Sequence, residues 1–66
     1  MTCKQYILEV LKEYPVDGLA GGKLEILVHD RSIHKASTVA RMANRLYNEG
    51  LVSKKYINGF VYYRIK

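Results

Sequence analysis

Cysteine and histidine are scarce in this chain of 66 residues, and their scarcity excludes several kinds of site. One cysteine cannot form an internal disulfide bond, and two histidines do not make a metal site when no acid or cysteine completes the set of ligands. The lack of disulfides fits a reducing compartment. No apolar run approaches the roughly 20 residues of a membrane span, and the opening "MTCKQYILEV" lacks the apolar core of a signal peptide. We therefore expect a soluble protein with a cytoplasmic location.

The short chain also lacks the residues that an enzyme needs. It forms at most one domain, although its apolar content of 48% is enough for one core. A nucleophile and a base would have to come from two histidines and one cysteine, in a domain too small for a deep pocket. The glycine-rich "GLAGGK" lacks the spacing and the following serine or threonine of a phosphate-binding loop. We expect neither catalysis nor a cofactor.

Acidic residues are almost absent from the second half of the chain. Residues 1–30 carry five acids and three lysines, a net charge of −2, whereas residues 31–66 carry eight basic residues and Glu49 alone, a net charge of +7. Such segregation predicts a polyanionic partner for the second half. The charges alone equally allow a basic surface that has no specific partner.

The first half predicts two short helices separated by a glycine-rich loop. The opening "TCKQ" is typical of a capping box that begins a helix over about residues 3–14. Pro15 ends this helix, because the residue before a proline avoids the helical region. The loop "PVDGLAGG" has room for a very short strand at residues 16–20. The run "KLEILVHD" fits either a buried strand or two turns of helix, and its context favours a helix over about residues 23–30.

The stretch "HKASTVARMANRLYNEGLV" predicts a longer helix over about residues 33–49, with Ser32 as its N-cap and Gly50 as the residue that stops it. Successive residues lie about 100° apart around a helix, which places the apolar residues in one core stripe. The stripe consists of Ala36, Val39, Ala40, Ala43, Leu46 and Tyr47, with Ile33 nearby. The opposite side is basic or hydrogen-bonding and consists of His34, Thr38, Arg41 and Arg45, flanked by Ser37, Asn44 and Asn48 and by Lys35.

The clearest local signal is a β-hairpin over residues 51–66. Two β-rich runs, "LVSKKYI" and "FVYYRIK", flank Asn58-Gly59, the dipeptide that most favours a type I′ turn. Pairing Ile57 with Phe60 fixes the register of both strands. One face can then cover the helices, and it holds Val52, Tyr56, Val61, Tyr63 and Ile65, with Lys54 opposite Tyr63. The other face holds Ser53, Lys55, Tyr62 and Arg64.

This order of elements, and specifically "STVARMANRLYNEGLV" running into "SKKYINGFVYYRIK", resembles the winged helix-turn-helix DNA-binding domain of GntR-type and MarR-type regulators. In those families a similar Ser-Thr-Val opens the recognition helix, and an apolar-x-x-x-Gly-Leu-Val junction leads into the wing. The resemblance covers essentially the whole chain. It implies a single α+β domain of three helices and a C-terminal β-hairpin wing, with residues 33–49 as the recognition helix.

The chain also departs from these families. The turn "HDRSIH" is about one residue longer than usual and lacks the common glycine. Neither an effector-binding domain nor long dimerisation helices are present, so no small-molecule effector is implied.

The residues and the resemblance predict the same function, a sequence-specific double-stranded DNA-binding protein that serves as a small transcriptional regulator. The major groove admits one α-helix, and arginine, lysine, asparagine, serine and threonine are side chains that read base edges there. The expected contacts of the recognition helix are His34, Lys35, Ser37, Thr38, Arg41, Asn44 and Arg45, and those of the wing are Lys54, Lys55, Asn58 and Arg64. A homodimer on two half-sites is a further expectation. The alternatives are a protein-interaction module and a non-specific nucleic-acid-binding protein.

Overall fold

The computed structural model describes all 66 residues, which form three α-helices and a three-stranded antiparallel sheet. The helices are α1 (Cys3–Lys12), α2 (Gly21–Arg31) and α3 (Ala36–Asn48). The strands are β1 (Leu19–Ala20), β2 (Val52–Ile57) and β3 (Phe60–Ile65), and they lie in the order β1-β3-β2. The predicted α+β class is confirmed. None of the three helices has the length and apolar character needed to cross a membrane.

Helix α1 begins with the predicted capping box. The amide of Gln5 donates to Thr2 Oγ1 at 3.2 Å, and the amide of Thr2 donates to Gln5 Oε1 at 2.7 Å. These two bonds satisfy backbone donors that the helix itself leaves free. The helix ends at Lys12, two residues before the predicted end, because the amides of Glu13 and Tyr14 bond to carbonyls three residues back and tighten the last turn.

The hairpin of β2 and β3 has the predicted register, from Ile57 opposite Phe60 to Val52 opposite Ile65. Asn58 and Gly59 form the turn with φ angles of 51° and 84°, the positive values that a type I′ turn requires. The expected short strand before α2 is confirmed over two residues, where Leu19 pairs with Tyr63 and Ala20 with Tyr62. The third strand therefore comes from the loop that connects α1 to α2.

One apolar core joins all three helices to the sheet. No polar or charged side chain is buried in it. Helix α1 contributes the largest share, because four of its residues at helical spacing are buried. The core consists of Cys3, Ile7, Val10, Leu11, Leu19, Leu24, Val28, Val39, Ala43, Leu46, Val52 and Tyr63. Burial raises the pKa of the Cys3 thiol.

The predicted core stripe of α3 is wrong for half of its members. Val39, Ala43 and Leu46 are buried, but Ala36, Ala40 and Tyr47 are exposed, and Met42 packs against the core instead. At about 100° per residue, the buried stripe is rotated by about 50° from its predicted position. Alanine is small enough to lie on either side of a helix, so the packing of Met42 and Leu46 decides the orientation.

The turn between α2 and α3 is longer than predicted, so that α3 begins at Ala36 and not at residue 33. Ser32 caps the C-terminal end of α2 and not the start of α3, because its hydroxyl donates to the Val28 carbonyl and accepts from the His34 amide. Ile33 lies in this turn and is 94% exposed, so it does not contribute to the core as expected.

An ion pair joins the ends of α1 and α2 and makes the stability of the fold depend on pH. Arg31 donates to both carboxylate oxygens of Glu13, at 2.6 and 2.8 Å, and these hydrogen bonds together with the Arg31 charge lower the pKa of Glu13 from its ordinary value of 4.5. A carboxyl group whose pKa is lowered on folding stabilises the folded state above its unfolded pKa, and this contribution is lost as the pH falls through the folded pKa.

We therefore expect the wild-type chain to have a higher free energy of unfolding in urea than Glu13→Gln at neutral pH. The difference should shrink as the pH is lowered below about 4.5. A difference that stays constant from neutral to acidic pH would show that the Glu13 charge does not act through Arg31.

Candidate nucleic-acid interface

The solvent-facing side of α3 is polar and carries no acid. Its centre is formed by Ser37, Arg41, Asn44 and Asn48, which recur at helical spacing and are all exposed. Arg45 is exposed on one flank, where Thr38 is half-buried. The observed orientation of α3 therefore places Ser37 and Asn44, which were predicted on a flank, at the centre of the exposed side. Thr38 and Arg45, which were predicted at the centre, lie at its border.

The two predicted site residues at positions 34 and 35 lie before the helix. Lys35 is the N-cap residue of α3 and is exposed. The half-buried ring of His34 packs edge-on against Tyr6 of α1, with ring centroids 5.9 Å apart, and the His34 carbonyl oxygen lies 2.9 Å from His29 Nδ1. The structure therefore places the His34 side chain against α1, away from the exposed side of α3.

The N-terminal ends of α2 and α3 leave backbone donors free. Neither N-cap residue, Ala20 for α2 or Lys35 for α3, has a side chain that accepts a hydrogen bond from the helix. Neither helix has an acid in its first turn. Free amides and the positive end of the helix dipole favour an anion at such ends. Both helices of the predicted helix-turn-helix are therefore electrostatically suited to a phosphate.

The hairpin residues predicted to bind DNA lie on two faces and at the tip. Lys55 and Arg64 lie on the outer face of the sheet, where Arg64 Nη1 donates to the Val16 carbonyl at 3.0 Å. Asn58 is exposed in the turn. Lys54 is half-buried on the opposite face, which packs towards the helices. The side chains of the four residues therefore do not share one face of the hairpin.

Lys54 joins the hairpin to the exposed side of α3 through a side-chain hydrogen bond. Its Nζ donates to Asn44 Oδ1 at 3.1 Å. The same ammonium group lies 5.3 Å from the ring centroid of Tyr47 and 5.9 Å from those of Tyr56 and Tyr63. We call these five residues the Lys54 cluster. The sequence pattern predicts that Tyr47 lies in the core and not in this cluster. The strand register is the sequence feature that indicates the cluster, because it places Lys54 opposite Tyr63 on the helix-covering face.

Ion pairing separates the basic residues into two groups. All three salt bridges of the chain lie away from the exposed side of α3 and from the hairpin strands: Lys4–Glu49 at 2.6 Å, Lys12–Glu9 at 3.2 Å and Arg31–Glu13 at 2.6 Å. The second group has no carboxylate partner, and it includes Lys35, Arg41, Arg45, Lys54, Lys55 and Arg64. Every lysine and arginine predicted to contact DNA therefore keeps its charge unpaired.

A small groove separates the N-terminal end of α2 from α3 and β3. Its volume is about 140 Å³, and it is lined by Gly21, Gly22, Leu24, Glu25, Val39, Ala40, Ala43, Val61 and Tyr63. Glu25 is the single charged residue in this lining. The groove is mainly apolar, and no group of three histidine, cysteine or acidic side chains that could hold a metal ion occurs in the structure.

Comparison with known proteins gave no match to a family model, to a curated protein or to a solved structure. The functional assignment therefore depends on the exposure, charge and geometry described above.

Proposed function

We propose that this chain is a winged helix-turn-helix protein that binds double-stranded DNA with sequence preference and acts as a small transcriptional regulator. In this proposal α2 and α3 form the helix-turn-helix, α3 is the recognition helix, and the hairpin of β2 and β3 is the wing. The observation that carries the proposal is the separation of ion pairs. Lys4, Lys12 and Arg31 each pair with an acid, whereas the lysines and arginines of α3 and the hairpin have no carboxylate partner.

The exposed side of α3 supports binding in the major groove. A groove about 12 Å wide admits one helix, and its base edges are read by side chains that donate or accept hydrogen bonds. Ser37, Arg41 and Asn44 supply such groups along about two turns of the helix and are not covered by other elements. Arg41 lies at the centre of this side, where its guanidinium can donate two hydrogen bonds to a guanine.

Phosphate contacts would hold the helix in that groove. The uncapped ends of α2 and α3 offer backbone amides, and Lys35 adds a positive charge at the start of α3. Lys55 adds another on the hairpin. Hydrogen bonds to phosphate fix the position of a protein on DNA without reading sequence, and each neutralised phosphate releases bound counterions.

Binding to labelled duplexes, measured by fluorescence anisotropy at several salt concentrations, tests this function. Three phosphate contacts predict a slope of log affinity against log salt of about −2.7, and further contacts make it steeper. Lys35→Met and Lys55→Met should each reduce this slope by about one unit. Lys12→Met is the matched control, because Lys12 pairs with Glu9 on α1, and it should leave the slope unchanged.

Two outcomes would count against the proposal. Absence of duplex binding at low salt would reject it. Equal affinity for selected and random duplexes would reduce it to non-specific nucleic-acid binding.

A protein partner is the second candidate function, and the outer face of the sheet favours it. Phe60 is 65% exposed there, Ile57 lies beside it, and Val16 of the neighbouring loop is 74% exposed. Apolar side chains that cluster on a surface commonly mark protein contacts. A homodimer through this face would leave the exposed side of α3 free for the duplex but would cover Lys55, so it is an alternative to a phosphate contact by Lys55. Sedimentation of the free chain and of its duplex complex separates the monomer from the dimer.

A further inference from the structure

The Lys54 cluster holds a lysine ammonium in one place. Lys54 extends from β2 between rings of α3 and the sheet, so that three tyrosines lie within 6 Å of its Nζ. An ammonium near aromatic faces is attracted to their negative charge density. The side chain is half-buried and has no carboxylate partner, and its one hydrogen bond is to Asn44. Lys54 is therefore less available for a phosphate than an exposed lysine such as Lys55.

The bond from Lys54 also determines which way the Asn44 amide points. An ammonium group only donates hydrogen bonds, so the atom of Asn44 that faces it at 3.1 Å must be the carbonyl oxygen Oδ1. The amide nitrogen Nδ2, with its two hydrogens, then points away from the hairpin. Rotating the amide by 180° would bring two groups of donors together, and the positive charge of Lys54 would oppose it.

We infer that Lys54 is a positioning residue that fixes the Asn44 amide, so that α3 presents an NH₂ group to the DNA and selects a base that accepts hydrogen bonds. This inference rests on the proposed DNA binding. A free asparagine favours adenine, because it accepts from N6 and donates to N7 at the same time. When Oδ1 already accepts a hydrogen bond from the Lys54 ammonium, the adenine N6 group would have to donate to the same oxygen. The positive charge of Lys54 opposes this second donor.

Guanine offers two acceptors, N7 and O6, on the same groove edge. The fixed Asn44 therefore prefers guanine to adenine at the base that it contacts. The polarising effect of the ammonium on Oδ1 also makes the NH₂ group a stronger donor. The hairpin thus influences base selection through α3 without touching the base.

The test compares Lys54→Met, which keeps the length of the side chain but removes the donor and the charge, with Lys54→Arg, which keeps both. Binding is measured against duplexes in which each base pair of a selected site is varied in turn. Asn44→Ala identifies the base pair that Asn44 contacts. At that pair the wild-type chain and Lys54→Arg should favour guanine over adenine by about fivefold or more. Lys54→Met should lose this preference and keep the preferences at other positions.

Lys55→Met is the control for charge alone, because Lys55 lies on the opposite face of the same strand and should weaken all duplexes by the same factor. A Lys54→Met variant that behaves in the same way, with its guanine preference intact, would overturn the inference and leave the proposed function standing. Failure of the wild-type chain to bind any duplex would overturn both.

A measurement on the free protein tests the first step separately. The ¹⁵N relaxation of the Asn44 side-chain amide should show a rigid group in the wild-type chain and in Lys54→Arg, and a mobile one in Lys54→Met. Equal mobility in all three variants would mean that Lys54 does not fix the amide, and the inference would fail even if the chain binds DNA.

Discussion

Replacing Arg41 by alanine should weaken binding to the preferred duplex by about 1–3 kcal/mol and relax the preference at one or two adjacent base pairs. The reason is its position at the centre of the exposed side of α3, with no carboxylate to compete for the guanidinium. The substitution should leave the fold intact, because the side chain is exposed and alanine favours helix. Anisotropy titrations against the selected site and its single-base variants measure the effect.

Arg45→Ala is the matched comparison, one turn further along the same helix. Arg45 lies on the flank of the exposed side, so its loss should affect base preference less than the loss of Arg41. A uniform loss of affinity for all duplexes in Arg41→Ala would assign this residue to phosphate. If Arg41→Ala binds every duplex with the affinity of the wild-type chain, α3 is not part of the proposed interface.

Replacing Gly18 by alanine should lower the free energy of unfolding by more than about 2 kcal/mol, a large part of the stability of so small a domain. Gly18 has a φ angle of 71°, in a region that side chains disfavour, and an added Cβ would lie 2.2 Å from the Tyr63 carbonyl oxygen. The clash is with backbone, so β1 would have to move away from β3 to relieve it. Urea unfolding followed by circular dichroism measures the loss.

Gly50→Ala separates the two causes of this loss. Gly50 follows α3 with a φ angle of 80°, but nothing lies within 4 Å of an added Cβ. The substitution should therefore cost only the conformational strain, about 1–2 kcal/mol. Equal losses in the two variants would mean that the contact between Gly18 and Tyr63 adds nothing to the strain.

The parts of the fold that the sequence predicted well depend on neighbours along the chain. The capping box at Thr2 and Gln5 and the turn at Asn58-Gly59 each involve residues within a few positions, and the turn then fixes the whole hairpin register. The start of α3 was predicted less well. Ser32 suits an N-cap, but its hydroxyl bonds to the end of the preceding helix instead, and that competition is visible only in the folded chain.

The candidate site was also predicted only in part, because spacing along one helix is visible in the sequence and packing between elements is not. Ser37, Arg41 and Asn44 were expected on the exposed side of α3 because polar residues at helical spacing share a face. The contact of His34 with Tyr6 depends on how α1 packs against the turn before α3. The bond between Lys54 and Asn44 depends on how the hairpin packs against α3. Neither packing can be derived from spacing in a single sequence.

The pairing of β1 with β3 has a consequence for the order in which the chain folds. The helices and the hairpin can form from residues close in sequence, but Leu19 reaches Tyr63 only after most of the intervening chain has closed into a loop. Closing a long loop costs conformational entropy before its contacts are made, so this pairing should form late. Contacts that form after the rate-limiting step affect the rate of unfolding and hardly that of folding. The lifetime of the folded chain should therefore depend on a strand of only two residues.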